Sequence, residues 1–488
     1  MTKLLATRAA VLLAAAAMLG GCRSSTCCRV PATPVAPCVY ERVDRDAEAV
    51  GSHGFAAFTA AIDPTADGLA TQGGEQPRPT LLPGVGEAYE VLTRAECQCN
   101  AATNTTVANA VELERYWASL LIGCESDTVA KSLCLTRSLL SLQAAELRKA
   151  SAAAALTSFY LLAGVEASEE FLDRGIEEID ASLRRIDVLR EKNLPGPDSS
   201  ERGTLAAKRD ELVDQRVQLG FARVQLNGQL KRLLGCPLDE RVLFLPRIDW
   251  APGLTAPDID LLVAEGVAAR SDLRSLRLVR RRLEKATLPV ARQVLQVIDG
   301  SLGAVAPKPG VLSHLRCCDC KECEAPIRCR QLTMIEADAT ELATGKIKGA
   351  AYKLATQQAR VRLAMQVAQR RRQTLEDLER RREADDISIF EISAQRARAY
   401  EAEASLVEKL VELKVAEVAL REVQGLLAAD CGYAAQVCGE QCCTGCCCGP
   451  FGCHACHADA GGLPAPCGLQ SCGLRGCGEA CECSAAAH

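Results

Sequence analysis

The chain has 488 residues, of which 48% are hydrophobic but only 3% aromatic. This mixture is typical of long helices that pack through small and aliphatic side chains, and it argues against a globular core built on aromatic anchors. Its 57 basic and 62 acidic side chains are intermixed and give a net charge of −5, which argues against a nucleic-acid-binding face.

Residues 1–22 are predicted to be a lipoprotein signal peptide. A positively charged start precedes the apolar stretch 9–18, which is too short to span a membrane comfortably. The next residues, Leu19-Gly20-Gly21-Cys22, resemble the lipobox of bacterial lipoproteins. That resemblance implies cleavage before Cys22 and its acylation, for example with palmitate, and hence a lipid anchor in the outer membrane on the periplasmic side. The alternative is an ordinary signal peptide that happens to contain a cysteine.

Residues 23–85, which contain much Pro, Ala and Gly, are predicted to be a flexible tether between the lipid and a folded body. Beyond the signal peptide we expect no segment long and apolar enough to cross a bilayer as a helix. The body is therefore predicted to be anchored by lipid and not by a spanning helix.

Two copies of a long helical hairpin are predicted at 86–235 and 257–429, with a connector at 236–256. Both copies carry apolar residues in the alternating four-three spacing of a coiled-coil seam. They are Leu172, Ile176, Ile179, Leu183 and Ile186 in the first copy, and Leu406, Leu410, Leu413 and Leu420 in the second. The copies align by their endings, Leu233-Leu234 and Leu426-Leu427, which are 193 residues apart. The predicted fold class is all-α, with duplicated long antiparallel coiled-coil hairpins.

The last helix of the second copy has a further stripe of valines. They are Val407, Val411, Val415 and Val418, and they predict neighbours on two sides of this helix. The carboxylates between the stripes, among them Glu403, are interpreted as a solvated face. Residues 86–121 are interpreted as an opening helix with an Asn/Thr interruption at 100–106. Residues 290–330, with their Gly, Pro and Cys, are expected to be the least regular part of the body.

Four features of residues 86–429 resemble the TolC-like outer-membrane efflux proteins. The first is the duplicated hairpin, and the second is the ending Leu233-Leu234-Gly235-Cys236-Pro237. The third is Arg270-Ser271-Asp272-Leu273, which is similar to the family's Arg-Pro-Asp-Leu. The fourth is the turn at Ala384-Asp385-Asp386-Ile387-Ser388, which stands where the family often has Gly-x-Ile/Val-Ser.

The resemblance implies a homotrimer that joins an inner-membrane pump through a periplasmic adaptor, as part of a tripartite efflux or type I secretion system. It also implies that the hairpin turns contact the partner. These residues are Asn193, Leu194, Pro195, Gly196, Asp385, Asp386, Ile387 and Ser388.

One departure from the family concerns the membrane strands that precede each hairpin. The corresponding slots are 100–131 and 288–330, and neither shows the alternating pattern and aromatic girdle of a membrane strand. Barrel strands are therefore predicted to be short or absent. The alternative function is a non-conducting periplasmic structural or metal-binding lipoprotein on the same helical scaffold.

The chain contains 28 cysteines, many of them in a Cys-rich, low-complexity tail at 430–488 that is predicted to be disordered. Two clusters have spacings compatible with zinc or copper(I): the tail, and the Cys-rich loop 317–329. The candidate ligands are Cys453, His454, Cys456, His457, Cys317, Cys320 and Cys323. A disulfide-stapled tail and plain disorder are the other readings, and the sequence does not determine disulfide connectivity. Nucleotide-binding, zinc-protease and serine-hydrolase motifs are missing from the sequence, so we expect no enzyme.

Overall fold

The computed structural model describes residues 42–43, 85–86, 88–122, 125–192, 199–239, 241–304, 320–382, 389–435 and 437. The chain divides into two compact units, Met1–Glu440 and Gln441–His488, and the second lies outside the described residues. The elements of the first unit are β1 (Arg42–Val43), β2 (Ala88–Thr93), α1 (Arg94–Thr103), α2 (Thr106–Ile122), α3 (Asp127–Glu191), α4 (Ser199–Leu234), β3 (Val242–Arg247), α5 (Ile259–Ala269), α6 (Ser271–Arg281), α7 (Leu288–Ile298), α8 (Cys320–Arg382) and α9 (Ile389–Gln424), followed by a 3-10 turn at Ala429–Cys431.

Two long hairpins, α3 with α4 and α8 with α9, lie side by side and confirm the predicted fold class. The inner helices α3 and α9 pack on each other, so the four helices follow the order α4, α3, α9, α8 across one layer. The leucine seam and three of the four valines of α9 are buried, and Val415 is partly buried, as expected for a helix with neighbours on both sides.

The end of each hairpin shows how the two copies correspond. Gly235 and Gly425 have left-handed backbones, with φ of 70° and 85°, and each ends a return helix of 36 residues. The next residue donates its N–H five residues back, from Cys236 to Lys231 at 2.8 Å and from Leu426 to Arg421 at 3.2 Å. Such bonds satisfy carbonyls that a helix end leaves free. The copies therefore align 190 residues apart, and the predicted offset of 193 is wrong, because a glycine and not the leucine pair ends each helix.

A small sheet corrects the prediction of a helix over 86–121. Residues 88–93 form β2, which pairs in parallel with β3 through Tyr89 and Leu243 and antiparallel with β1. Within β2, Tyr89 and Val91 are buried and Glu90 between them is only partly buried, which is the alternation of a half-buried strand. The helix begins only at α1, where the side chains of Thr93 and Glu96 form a reciprocal capping box.

The described parts of the two strand slots contain no strand and are mostly helical, which agrees with the expectation of short or absent barrel strands there. α2 fills most of the first slot, and α7 and the start of α8 fill the described part of the second. The expectation that 290–330 is irregular is therefore wrong for the residues in α7 and in the start of α8. Pro289 stands in the first turn of α7, where its missing N–H costs nothing.

Within the described residues, α3 contains a stretch that is long and apolar enough to cross a membrane by length and composition alone. We expected no such segment. Most of this stretch is buried inside the protein, so its apolar composition agrees with the position of α3 in the middle of the layer.

Candidate functional site

The predicted partner-contacting turns, 193–196 and 385–388, lie outside the described residues. The helices that lead to them are held together up to their ends. Arg202 and Asp187 pair at 2.9 Å between α4 and α3, and Arg396 and Glu379 pair at 2.6 Å between α9 and α8. Glu178 of α3 accepts hydrogen bonds from α9, including one of 2.8 Å from Ser393. Both hairpins therefore turn at the same end of the layer.

A ladder of ion pairs joins α3 to α4 at one-heptad intervals. Its four rungs are Asp187–Arg202, Asp180–Arg209, Asp173–Arg216 and Glu166–Arg223. The arginines follow each other every seven residues in one direction and the acids every seven in the other, so one antiparallel register satisfies all four. We call this set the charge ladder. Sequence reasoning missed it, although the spacing of the four arginines is visible in the sequence.

The innermost rung of the charge ladder is buried. Arg223 is 1% exposed and binds two carboxylates, Glu166 with 2.5 Å from Nε to Oε1 and Glu169 at 3.0 Å. Burial raises the pKa of Glu169 from its ordinary value of 4.5 to about 7, and nearby Glu166 and Asp173 add to this, while Arg223 and Arg216 oppose it. The site thus holds one firmly paired carboxylate and a second that gains a proton near neutral pH.

The pKa of Glu169 is raised in the folded state. Its contribution to stability is therefore fully present when the pH is below its ordinary pKa of 4.5, and it is lost as the pH rises through about 7. We expect Glu169→Gln to reduce the fall in unfolding free energy between pH 5 and pH 8 by about 1–3 kcal/mol. Urea unfolding at several pH values measures this. Asp180→Asn, a similar exchange in a partly exposed rung, should leave the fall in place, and an equal effect of both variants would contradict the assignment to Glu169.

The second hairpin also buries a carboxylate. Glu403 of α9 is 7% exposed and its Oε1 lies 2.6 Å from Nε of Arg372 on α8. The interpretation of Glu403 as part of a solvated face is therefore wrong. A charged residue next to a seam is found buried when a long arginine on the neighbouring helix reaches it.

The segment Arg270-Ser271-Asp272-Leu273 lies at the junction between α5 and α6 and closes the end of α9. Arg270 donates to the carbonyl oxygen of Val423 at 2.9 Å and pairs with Asp272 at 3.0 Å. The first copy has a matching contact, from Asn104 to the carbonyl oxygen of Leu234 at the end of α4. Each opening segment thus caps the return helix of its own hairpin, which is a structural role.

A groove of about 500 Å³ runs over α3 between α4 and α9. Phe171, Leu172 and Gly175 of α3 form part of its lining, and Lys208 and Glu401 pair across it at 2.7 Å. Its lining also includes acidic, amide and hydroxyl side chains, so it offers a mixed polar and apolar surface.

Within the described part of the chain, no group of His, Cys, Asp and Glu is placed to hold a metal ion. Cys323 is exposed in the first turns of α8, and Cys320 is the first residue of that helix. Cys317, Cys453, His454, Cys456 and His457 lie outside the described residues. Zinc or copper binding by these residues stays a prediction.

No protein-family model and no curated protein matches the chain. Among solved structures, CusC, described in terms of folding and transmembrane channel formation, is 9% identical with a TM-score of 0.50, over 68% of this chain and 91% of CusC. The CmeC outer membrane channel of Campylobacter jejuni is 12% identical with a TM-score of 0.43, over 61% of this chain and 67% of CmeC. The outer membrane protein VceC of Vibrio cholerae is 12% identical with a TM-score of 0.43, over 61% of this chain and 75% of VceC.

The likeness to CusC confirms, at the level of the fold, the resemblance to the TolC-like proteins that was inferred from the motifs. Identities this low carry no information on substrate or partner.

Proposed function

We propose that this chain is the outer-membrane or periplasmic component of a tripartite efflux or type I secretion assembly, acting as conduit or docking protein without catalysis. The proposal rests on one observation above all: two long hairpins lie side by side with both turns at one end, in the fold of CusC. Lipid on Cys22 would attach the protein to the outer membrane, and the turns would meet a periplasmic adaptor that leads to an inner-membrane pump.

The outer face of α8 supports a homotrimer. Four large apolar side chains are 58–66% exposed there, namely Met334, Leu342, Tyr352 and Leu363. At 100° per residue they fall within an arc of about 80°, over a length of about 45 Å. A Cβ at Gly345 or Gly349, on the same face, would meet no atom within 4 Å, so another helix has room to approach closely. We call this set the α8 stripe.

The outer face of α4, at the opposite edge of the layer, supplies a partner surface. Val217 and Phe221 are 51% and 67% exposed there. Contact between the α8 stripe of one copy and α4 of the next joins two different surfaces. Repeating this contact from copy to copy forms a closed ring when the rotation between neighbouring copies allows the last copy to meet the first. Apolar stripes of this length rarely stay exposed on monomeric proteins.

We expect the double variant Leu342→Glu and Tyr352→Glu to convert the detergent-solubilised protein from trimer to monomer, because two of the four apolar side chains of the α8 stripe would be replaced by charged ones in every interface. The mass of the purified full chain, measured by light scattering, reports this. Thr333→Glu with Gln369→Glu is the matched control, since both residues are exposed about a third of a turn away on the same helix. A monomer in both variants, or a trimer in both, would contradict the proposal that the copies assemble through the α8 stripe.

Adaptor contact at the turns is tested by photo-crosslinkers at Leu194 and Ile387 in cells. Both positions should capture a periplasmic adaptor, identified by mass spectrometry, while a crosslinker at Thr333, near the other end of α8, should not. Capture from Thr333 alone would place the docking surface elsewhere.

The alternative, a non-conducting periplasmic structural or metal-binding lipoprotein, is favoured by the helices α2 and α7 in the strand slots. Ion conductance in planar bilayers separates the two. A monomer that never conducts but binds several zinc or copper ions would support the alternative and contradict the efflux function.

A further inference from the structure

A disulfide connects the beginning of the first repeat to the end of the second. Cys99 of α1 is bonded to Cys431 of the 3-10 turn, across a sequence separation of 332 residues. Both residues are half-buried, so the bond is near the surface. Residues 425–435, which we call the closing segment, leave the end of α9 and cross onto α1 at this point.

The closing segment has two parts with different anchoring. In the first part, Leu427 and Ala428 are buried, and Gln98 of α1 donates to the carbonyl oxygen of Leu427 at 2.9 Å. From Ala429 onward, the described residues are mostly exposed or half-buried, and the only regular structure among them is one 3-10 turn. The first part is held by burial in the core, whereas the second depends on individual contacts.

Besides the disulfide, this second part is held by single polar contacts and by packing at the edge of the core. Asp430 accepts a hydrogen bond from Gln98 at 3.3 Å, and the carbonyl oxygen of Ala435 accepts one from Arg274 at 3.4 Å. Cys431, Tyr433 and Ala435 are partly buried against apolar clusters. The Tyr433 hydroxyl shares a hydrogen bond of 2.7 Å with Thr103, and the Arg148 guanidinium lies 4.1 Å from the centre of the Tyr433 ring. Arg421 binds Asp430 at 2.6 Å, and both side chains are more than a third exposed. Single contacts of this kind add little net stability, and each ordered residue loses conformational entropy.

We propose that Cys99–Cys431 is an oxidation-dependent latch, which holds residues 429–435 on the first repeat, and that breaking this one bond frees them while the hairpin layer stays folded. The proposal goes beyond the efflux function and does not depend on it. The layer itself is held largely by a buried cluster that joins α9 to α8 and α3, and neither Cys99 nor Cys431 belongs to that cluster.

The bond forms when the two thiols lose two protons and two electrons to a disulfide oxidant, which is itself reduced to two thiols. Cys97 lies two residues before Cys99 and does not compete for this reaction. It is completely buried, and burial raises the pKa of its thiol far above the ordinary range, so the reactive thiolate does not form. An oxidising compartment, expected from the export signal, supplies the oxidant and keeps the bond formed.

Hydrogen exchange of the full chain, read by mass spectrometry, tests the latch. The Tyr433 N–H is bonded to the carbonyl oxygen of Ala428 at 3.0 Å and the Gly432 N–H to that of Ala429 at 2.9 Å. In Cys99→Ser we expect exchange over 429–435 to speed up by at least about tenfold, with exchange in the buried part of α3 unchanged. Cys97→Ala, which removes a free thiol from the same helix, should leave both regions unchanged.

Mild reduction of the folded wild-type chain should reproduce the effect of Cys99→Ser over 429–435, and it does so even if the variant fails to fold. Reduction of Cys99→Ser should then add nothing in this segment. Unchanged protection over 429–435 after the bond is broken would overturn the proposal. So would a disulfide map of the oxidised protein that joins Cys99 to a cysteine other than Cys431.

Discussion

Replacing Arg223 by leucine should destabilise the protein by about 3–5 kcal/mol, because two carboxylates in the first hairpin would lose their common partner. Arg223 is 1% exposed and lies between Glu166 and Glu169, of which Glu169 is 5% exposed. Leucine restores apolar volume but no donors. The remaining carboxylates must then take up protons or attract water into the packed layer, and either response costs free energy.

The charge ladder supplies a matched control for this variant. Arg209 pairs with Asp180 at 2.6 Å two rungs away in the ladder, and the exposures of the two side chains are 39% and 31%. Because water screens such a pair, Arg209→Leu should cost less than about 1 kcal/mol. Urea unfolding followed by circular dichroism measures both. Equal costs would show that burial does not decide the energetics of the ladder.

The second large effect is expected at Gly164, which lies where the two hairpins meet. Of the described glycines of α3, it leaves the least room for a Cβ. A Cβ at Gly164 would lie 2.6 Å from Cγ2 of Val411 on α9. Gly164→Ala should therefore destabilise the protein by about 1–3 kcal/mol through overpacking, although alanine is the better helix former. The same denaturation measurement reports it.

A double variant separates this clash from a general intolerance of α3. Val411→Ala removes the methyl groups that a Cβ at position 164 would meet, so Gly164→Ala with Val411→Ala should cost less than the sum of the two single variants, by about 0.5–3 kcal/mol. Gly220→Ala is the control for helix propensity. Its Cβ would meet nothing nearer than Glu169 at 4.0 Å, and we expect it to stabilise the protein by up to about 1 kcal/mol. Additive single variants would mean that Gly164 and Val411 do not pack as described.

The sequence predicted the hairpins well, because a helix seam is a local and repeated signal. Leu406, Leu410 and Leu413 keep the four-three spacing, and all three are buried. The predicted offset between the two copies was wrong by three residues, because Leu-Leu pairs recur in such helices. The correct marker was the left-handed glycine at each end, Gly235 and Gly425.

Features that depend on distant parts of the chain were not predictable in the same way. β2 is six residues long and becomes a strand by pairing with β3, which is about 150 residues further along the chain. The partner of Cys99 among the many other cysteines follows only from the fold. The charge ladder is the exception, because its heptad spacing is visible in the sequence once the two arms are written in antiparallel order.

Assembly through the α8 stripe is tested most directly by a photo-crosslinker at Tyr352, in the centre of the stripe, on the full-length protein in detergent. Assembly through the outer faces predicts a product with the mass of two or three chains, in which position 352 is joined to a peptide of α4 around Val217 and Phe221 of another copy. Products confined to a single chain, from a protein that also sediments as a monomer, would contradict the proposed assembly.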